Sequence, residues 1–237
     1  MIAGFSKVVT LYLAPVLSLT SIILILFAFL APSVLLNDKV SLLVVSPSSV
    51  LTDPSSDSGV DGPTLFLGAL GSCSRPNKDA SVTCAVPTLS PNYDLSNLPS
   101  NAPDLLSAPT ATTPVFIAIS IGFTIIFFFL FALISLRAKL GAKLSAALDR
   151  PVIQRLSAWI GLFGFMIGLT SFLVLRMWFG KAVEDFNKAI SKGGDGAPEL
   201  VASTSNGFTM AWVAYAFYAV PLICALARLH VTATASK

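Results

Sequence analysis

Residues 115–136 read VFIAISIGFTIIFFFLFALISL and contain no charged side chain. A helix that crosses a bilayer needs about 20 mostly apolar residues, because lipid offers no partner for open backbone groups. We therefore predict a membrane-spanning helix here. The whole chain is consistent with this prediction, since it is 54% hydrophobic and 11% charged, whereas a soluble domain has about 25% charged residues.

Three further stretches meet the same test, at residues 8–30, 156–179 and 208–229. The predicted fold is mainly α, a bundle of four transmembrane helices. A cleavable signal peptide is the rival interpretation of the first stretch, with Lys7 as its basic flank. Signal peptides have an apolar core of about 7–15 residues. The first stretch is longer, which favours an uncleaved helix.

The linker at residues 137–155 sets the predicted orientation. Its basic residues are Arg137, Lys139, Lys143, Arg150 and Arg155, against the single acid Asp149. Short loops rich in Lys and Arg stay in the cytoplasm. Both termini, including the tail at residues 230–237, are then cytoplasmic, and the loops at residues 31–113 and 180–207 are extracellular.

The same linker has a second interpretation. If it is helical, Leu140, Leu144, Ala147 and Leu148 share one face, and the helix could lie on an anionic inner leaflet. The alternative is a charged connector that only sets topology.

The first extracellular loop contains three strand-like runs, at residues 40–45, 64–70 and 81–86, separated by Pro and Gly. They predict a small extracellular antiparallel β-sheet, with residues 46–62 as an excursion. Cys73 and Cys84 lie in this loop, where thiols oxidise, so a disulfide is expected. A zinc site is the weaker alternative, because the only histidine, His230, is predicted to lie across the membrane.

Two features bear on packing of the third helix. Residues 181–191 could extend it beyond the membrane, with Ala182, Phe186 and Ile190 facing the sheet. Small residues recur along the helix in steps of four and three, namely Ser157, Gly161, Gly164, Gly168 and Ser171. Small residues let helix backbones approach closely in lipid. This seam is either a dimer face or a contact within one chain.

The fourth helix contains Pro221, which predicts a kink, and Trp212, Tyr215 and Tyr218, which suit an interfacial aromatic belt. Cys224 is expected to be a packed thiol, and S-palmitoylation is the alternative.

Recognisable catalytic, phosphate-binding and dinucleotide-binding motifs are missing from the sequence. We therefore expect no enzymatic activity, no cofactor and no metal, and neither nucleic acid nor a small-molecule substrate as a partner. Acids, lysines and histidines are also missing from the middle of the apolar stretches, which disfavours a proton-coupled transporter.

Two segments carry a family resemblance. Gly68-Ala69-Leu70-Gly71-Ser72-Cys73, followed by Cys84, resembles the G-L-W-x-x-C…C signature of claudin-like proteins, with Leu70 in place of the tryptophan. Together with Ser90-Pro91-Asn92-Tyr93-Asp94-Leu95, it most resembles the fungal SUR-seven/PalI family of four-helix plasma-membrane proteins.

The resemblance implies a plasma-membrane protein of fungal cortical, eisosome-type microdomains, linked to cell-wall organisation and endocytosis. Its implied partners are membrane lipids and copies of itself or other membrane proteins in a lateral assembly. An accessory subunit of an ambient-pH signalling receptor, as in the PalI branch, or of a wall synthase is the alternative, and a small channel or transporter is a more distant one.

Overall fold

The structure is a computed structural model that describes residues 9–51, 61–139 and 141–235. Some of the predictions above concern positions outside this description, namely Lys7, Val8, Leu140, residues 52–60 of the excursion, residues 236–237 of the tail and the side chains of Leu144 and His230.

The described chain forms five α-helices and several short helical turns. The helices are α1 (Ala14–Leu30), α2 (Thr112–Leu136), α3 (Ala142–Leu148), α4 (Pro151–Lys192) and α5 (Asn206–Ala235). A π-helical turn, Val9–Leu13, precedes α1, and 3-10 turns occur at Arg137–Lys139 and Gly194–Gly196.

Within the described residues, four stretches are long and apolar enough to cross a membrane, as the sequence predicts. They are Leu11–Leu30, Thr112–Leu136, Pro151–Lys192 and Asn206–Leu229. Their length and composition indicate a multi-pass membrane protein. Pro221 lies inside α5.

Helix α4 is longer than a membrane requires. It contains 42 residues, about 63 Å at 1.5 Å per residue, whereas the hydrocarbon core is about 30 Å thick. The helix continues through residues 181–191, where Lys181 pairs with Asp185 at 2.7 Å. Phe186 and Ile190 are buried along this extension. Gly194, with a φ of 57°, follows the end of the helix.

Five strands form one antiparallel sheet in the order β4-β3-β2-β1-β5. They are β1 (Leu43–Pro47), β2 (Thr64–Leu67), β3 (Ser72–Arg75), β4 (Thr83–Cys84) and β5 (Leu200–Thr204). In the register, Leu43 of β1 lies opposite Leu67 of β2 on one side and Thr204 of β5 on the other.

Two of these strands were not predicted. Strand β3 lies between two predicted runs, and β5 comes from the second loop rather than the first. Strand β3 contains none of the β-branched or aromatic residues that favour strands, and β5 contains Val201 and Thr204 but is only five residues long. Pairing with β2 and β1 holds them in the sheet, and such pairing is not encoded locally.

The chain divides into two compact units. The helical unit comprises Met1–Leu26, Phe116–Thr170 and Ala211–Lys237. Its buried cluster includes Ala14, Phe127, Phe131, Ala158 and Tyr218.

The sheet unit comprises Phe27–Val115 and Ser171–Met210. It buries side chains from β1, β2, β5 and the α4 extension, including Leu43, Val45, Leu65, Leu67, Phe186, Ile190 and Leu200. Phe179 and Phe208 also meet here, with ring centroids 6.2 Å apart.

Candidate functional site

The expected disulfide joins Cys73 of β3 to Cys84 of β4. The two residues are direct partners in the sheet register, with Cα atoms 4.0 Å apart. Cys73 is buried, whereas Cys84 is exposed at the sheet edge. The bond therefore ties the short strand β4, which has only two residues, to the body of the sheet.

The first motif segment forms a tight turn between β2 and β3. The N–H of Gly68 donates to the Gly71 carbonyl at 2.9 Å. A Cβ at Gly68 would collide with the Ala31 carbonyl oxygen and the Pro32 ring, so only glycine fits there. Leu70, which replaces the tryptophan of the signature, is buried. The turn thus packs against the chain where it leaves α1.

The second motif segment lies across the first. The Tyr93 hydroxyl donates to the Gly68 carbonyl at 2.8 Å, and the Asp94 N–H donates to the Ser72 hydroxyl at 2.8 Å. Nearby, the Asn97 side-chain amide donates to the Ser74 hydroxyl at 2.7 Å. The two segments that carry the family resemblance are therefore bonded to each other beside the disulfide.

The titratable groups of the second motif segment have shifted pKa values. Burial raises the pKa of the Tyr93 phenol above its ordinary value, so the hydroxyl stays protonated and keeps donating to Gly68. Hydrogen bonds from Ser96, first from its side chain and then from its N–H, lower the pKa of the exposed Asp94 carboxyl.

Asn187, on the α4 extension, holds the edge strand β5 and was not singled out in the sequence. Its side-chain amide donates to the Ala202 carbonyl and accepts from the Ala202 N–H, each at 2.8 Å. The side chain thereby imitates a neighbouring strand and closes part of an open sheet edge. No local pattern marks Asn187, because its partner belongs to a strand that forms only by long-range pairing.

In the helical unit, the small-residue seam of α4 packs against other helices of the same chain. A Cβ at Gly161 would lie 2.6 Å from the Phe127 ring, and one at Gly164 would lie 3.1 Å from the Phe123 Cβ. A Cβ at Gly168 would collide with the hydroxyls of Ser120 and Tyr215. This geometry favours a contact between α4, α2 and α5 over a dimer face.

Hydroxyl groups reinforce that contact. Ser120 donates to the Gly164 carbonyl at 2.9 Å, and Tyr218 donates to the Gly161 carbonyl at 3.1 Å. At the ends of the seam, Ser157 and Ser171 are both buried; Ser157 lies in the helical unit and Ser171 in the sheet unit.

Tyr215 and Tyr218 do not form the expected interfacial belt. Both are buried, and their rings lie 5.8 Å and 6.0 Å from that of Phe165. The belt prediction is wrong for these two residues, because the glycines of α4 leave room for the rings and expose backbone carbonyls to a hydroxyl donor.

The basic linker presents its charges to the surroundings. Lys139, Lys143, Arg150 and Arg155 are exposed. Arg137 pairs with Asp149 at 3.0 Å. Segment 142–148 is helical, as the inner-leaflet interpretation requires, but Leu148, which that interpretation turns toward the leaflet, is buried within the protein.

Arg228 of α5 lies near the C-terminal end of α2, where the basic linker begins. Its guanidinium donates to the Ser135 hydroxyl at 3.2 Å and lies 5.2 Å from the Phe131 ring centroid. One turn earlier, Cys224 is a half-buried free thiol that packs against the helical core. Its acylation stays a prediction.

Among the residues that the structure describes, no group of three or more His, Cys, Asp or Glu side chains could hold a metal ion. No protein-family model matches the chain, and no curated protein matches its sequence.

Proposed function

We propose that this chain is a non-enzymatic organiser of fungal plasma-membrane microdomains, of the SUR-seven/PalI type. One observation carries the proposal. The two segments on which the resemblance rests, residues 68–73 and 90–95, form one hydrogen-bonded structure beside the Cys73–Cys84 disulfide. Such a braced sheet is suited to presenting a constant surface to neighbouring proteins or to the wall.

The proposed orientation puts the sheet unit outside the cell and the basic linker inside. Disulfides persist in oxidising compartments, which supports an external position for Cys73 and Cys84. Exposed Lys and Arg in a short linker support a cytoplasmic position for residues 137–155. Both termini are then cytoplasmic.

The described polar groups of the helical unit support a packing role rather than transport. Ser120 and Tyr218 donate to backbone carbonyls of α4, and Thr124 donates to the Ser120 carbonyl at 2.9 Å. Hydroxyls used in this way fix helix contacts. A channel would need them to line a water-filled path.

Localisation of a fluorescently tagged full-length chain in a fungal cell tests the proposal. We expect clustered foci at the plasma membrane and, after detergent extraction, an assembly larger than a monomer. Diffuse fluorescence of the unmodified chain would contradict the proposal.

A double variant, Cys73→Ser with Cys84→Ser, removes the disulfide of the sheet. It should reach the membrane but form fewer foci than the unmodified chain. Cys224→Ser is its control and should cluster normally. Co-purification with one dominant receptor or synthase would favour the accessory-subunit alternative, and ion flux through reconstituted protein would favour a channel.

A further inference from the structure

Among the exposed aliphatic side chains of the sheet unit that lie outside the helices, five occur in two short segments, residues 34–36 and 86–89. We call them the apolar foot, and they are Val34, Leu35, Leu36, Val86 and Leu89. Val86 is the most exposed of the described large hydrophobic residues, at 81%. Exposed aliphatic groups that lie together on one surface mark a contact with something apolar.

The two segments of the foot converge on Gly71. A Cβ at Gly71 would lie 2.9 Å from the Ser33 hydroxyl and 3.9 Å from the Val86 carbonyl oxygen. The Thr88 N–H also donates to the Leu70 carbonyl at 2.9 Å. Residues 33–36 and 86–89 therefore flank the same turn of the motif segment, although about fifty residues of sequence separate them.

The foot continues directly from a candidate membrane span. That span ends at Leu30. Helical hydrogen bonds persist past it, since the N–H groups of Ala31 and Val34 donate to Phe27 and Leu30 at 3.0 Å. The first charges after the span are Asp38 and Lys39, an exposed ion pair at 3.1 Å. Residues 33–36 thus lie between the hydrocarbon-length helix and the first charges.

Leu36 supplies an independent observation. Its φ is 56°, the left-handed region that glycine tolerates and leucine rarely adopts. The N–H groups of Lys39 and Val40 both donate to its carbonyl, at 2.9 Å and 3.1 Å. The side chain is nevertheless 40% exposed, so it is not part of the buried core of the sheet unit. A non-glycine residue in such a conformation is a pointer to function.

We propose that the apolar foot enters the interfacial layer of the outer leaflet and contacts phospholipid acyl chains. This inference rests on the membrane placement proposed above. The foot contains only aliphatic side chains, which match the apolar chemistry of acyl chains. Its continuity with the end of α1 also favours lipid over a protein partner. The foot would hold the motif turn and the disulfide end of the sheet against the membrane.

Depth-dependent quenching of a fluorescent probe tests this inference. The full-length chain carries Cys224→Ser, so that an added cysteine is the one thiol outside the disulfide. Leu35→Cys is labelled with an environment-sensitive dye and reconstituted in phosphatidylcholine nanodiscs, whose two faces are both open to solvent. Quenching is measured with a doxyl lipid labelled near its headgroup and with aqueous iodide.

Two controls bracket the measurement. Val50→Cys lies beyond the opposite end of β1, at an exposed valine, and should be quenched by iodide. Ile23→Cys lies on the exposed surface of α1 and should be quenched by lipid. Leu89→Cys samples the second segment of the foot, in case the Leu35 variant does not fold.

We expect doxyl quenching at Leu35 or Leu89 to exceed that at Val50 severalfold, with weak iodide quenching. The inference would be overturned if iodide quenched both foot positions as strongly as Val50 while lipid quenching at Ile23 showed that α1 is in the membrane. If Ile23 also escapes lipid quenching, the membrane placement itself fails. Protection from iodide without doxyl quenching would indicate a protein contact and would also overturn the inference.

Discussion

Tyr93 bonds two parts of the sheet unit that the sequence separates by 25 residues. Replacing it with phenylalanine leaves the ring in place but removes the donor to the Gly68 carbonyl. We expect Tyr93→Phe to lower the free energy of unfolding by about 1 kcal/mol, measured by thermal unfolding in detergent. Tyr12→Phe, at an exposed tyrosine, is the control and should have a smaller effect. Equal effects of the two changes would contradict the structural role of Tyr93.

Cys73 and Cys84 make a second prediction at the scale of single residues. Alkylation without reductant, followed by mass spectrometry, should modify Cys224 and leave the other two cysteines blocked. Removing the bond frees a short loop, which should cost about 3 kcal/mol on the chain-entropy model. Modification of both sheet thiols in the untreated protein would refute the pairing.

Sequence reasoning identified the cysteine pair but not its surroundings. The short spacing of Cys73 and Cys84 between strand-like runs was enough to predict their bond. The contacts of Tyr93 and Asp94 with Gly68 and Ser72 were not predictable, because they join a proline-rich segment to residues more than twenty positions earlier, and Ser72 belongs to a strand that had not been expected.

Among the elements, α4 depends most on close approach to its neighbours. Gly164→Leu should weaken that contact, because a Cβ there would already lie 3.1 Å from Phe123 and 3.3 Å from the Tyr218 hydroxyl. We expect a loss of about 1–3 kcal/mol, the usual cost of overpacking, in denaturant titrations of the detergent-solubilised chain.

Gly122→Leu is the matched control, since nothing lies within 4 Å of a Cβ at that position of α2. It should cost far less than Gly164→Leu. If Gly164→Leu instead changed only the oligomeric state and left the monomer as stable as before, the seam would be a dimer face.

Helices were easier to predict than strands. A long charge-free run needs only composition to be recognised, so the four apolar helices were predicted from the sequence. The C-terminal end of α4 is harder to predict, because residues 181–192, which include several charged side chains, continue the helix beyond the apolar run. Strand β5 was missed since residues 200–204 become a strand through pairing with β1.

For the whole molecule, the proposed orientation can be measured with a membrane-impermeant thiol reagent. In a Cys224→Ser background, Val50→Cys should be labelled on intact spheroplasts. Lys143→Cys, in the exposed linker, should be labelled only after permeabilisation. The opposite pattern would invert the topology, and labelling of both on intact cells would contradict it.

The strand order carries a consequence for biogenesis. Strands β1 to β4 come from one continuous part of the chain, but β5 is synthesised only after α4. Until then, β1 is an edge strand with unpaired backbone groups, the kind of edge that invites aggregation. A nascent or truncated chain that stops before Leu200 therefore exposes β1 as an aggregation-prone edge. The sheet can be completed only after β5 has been synthesised.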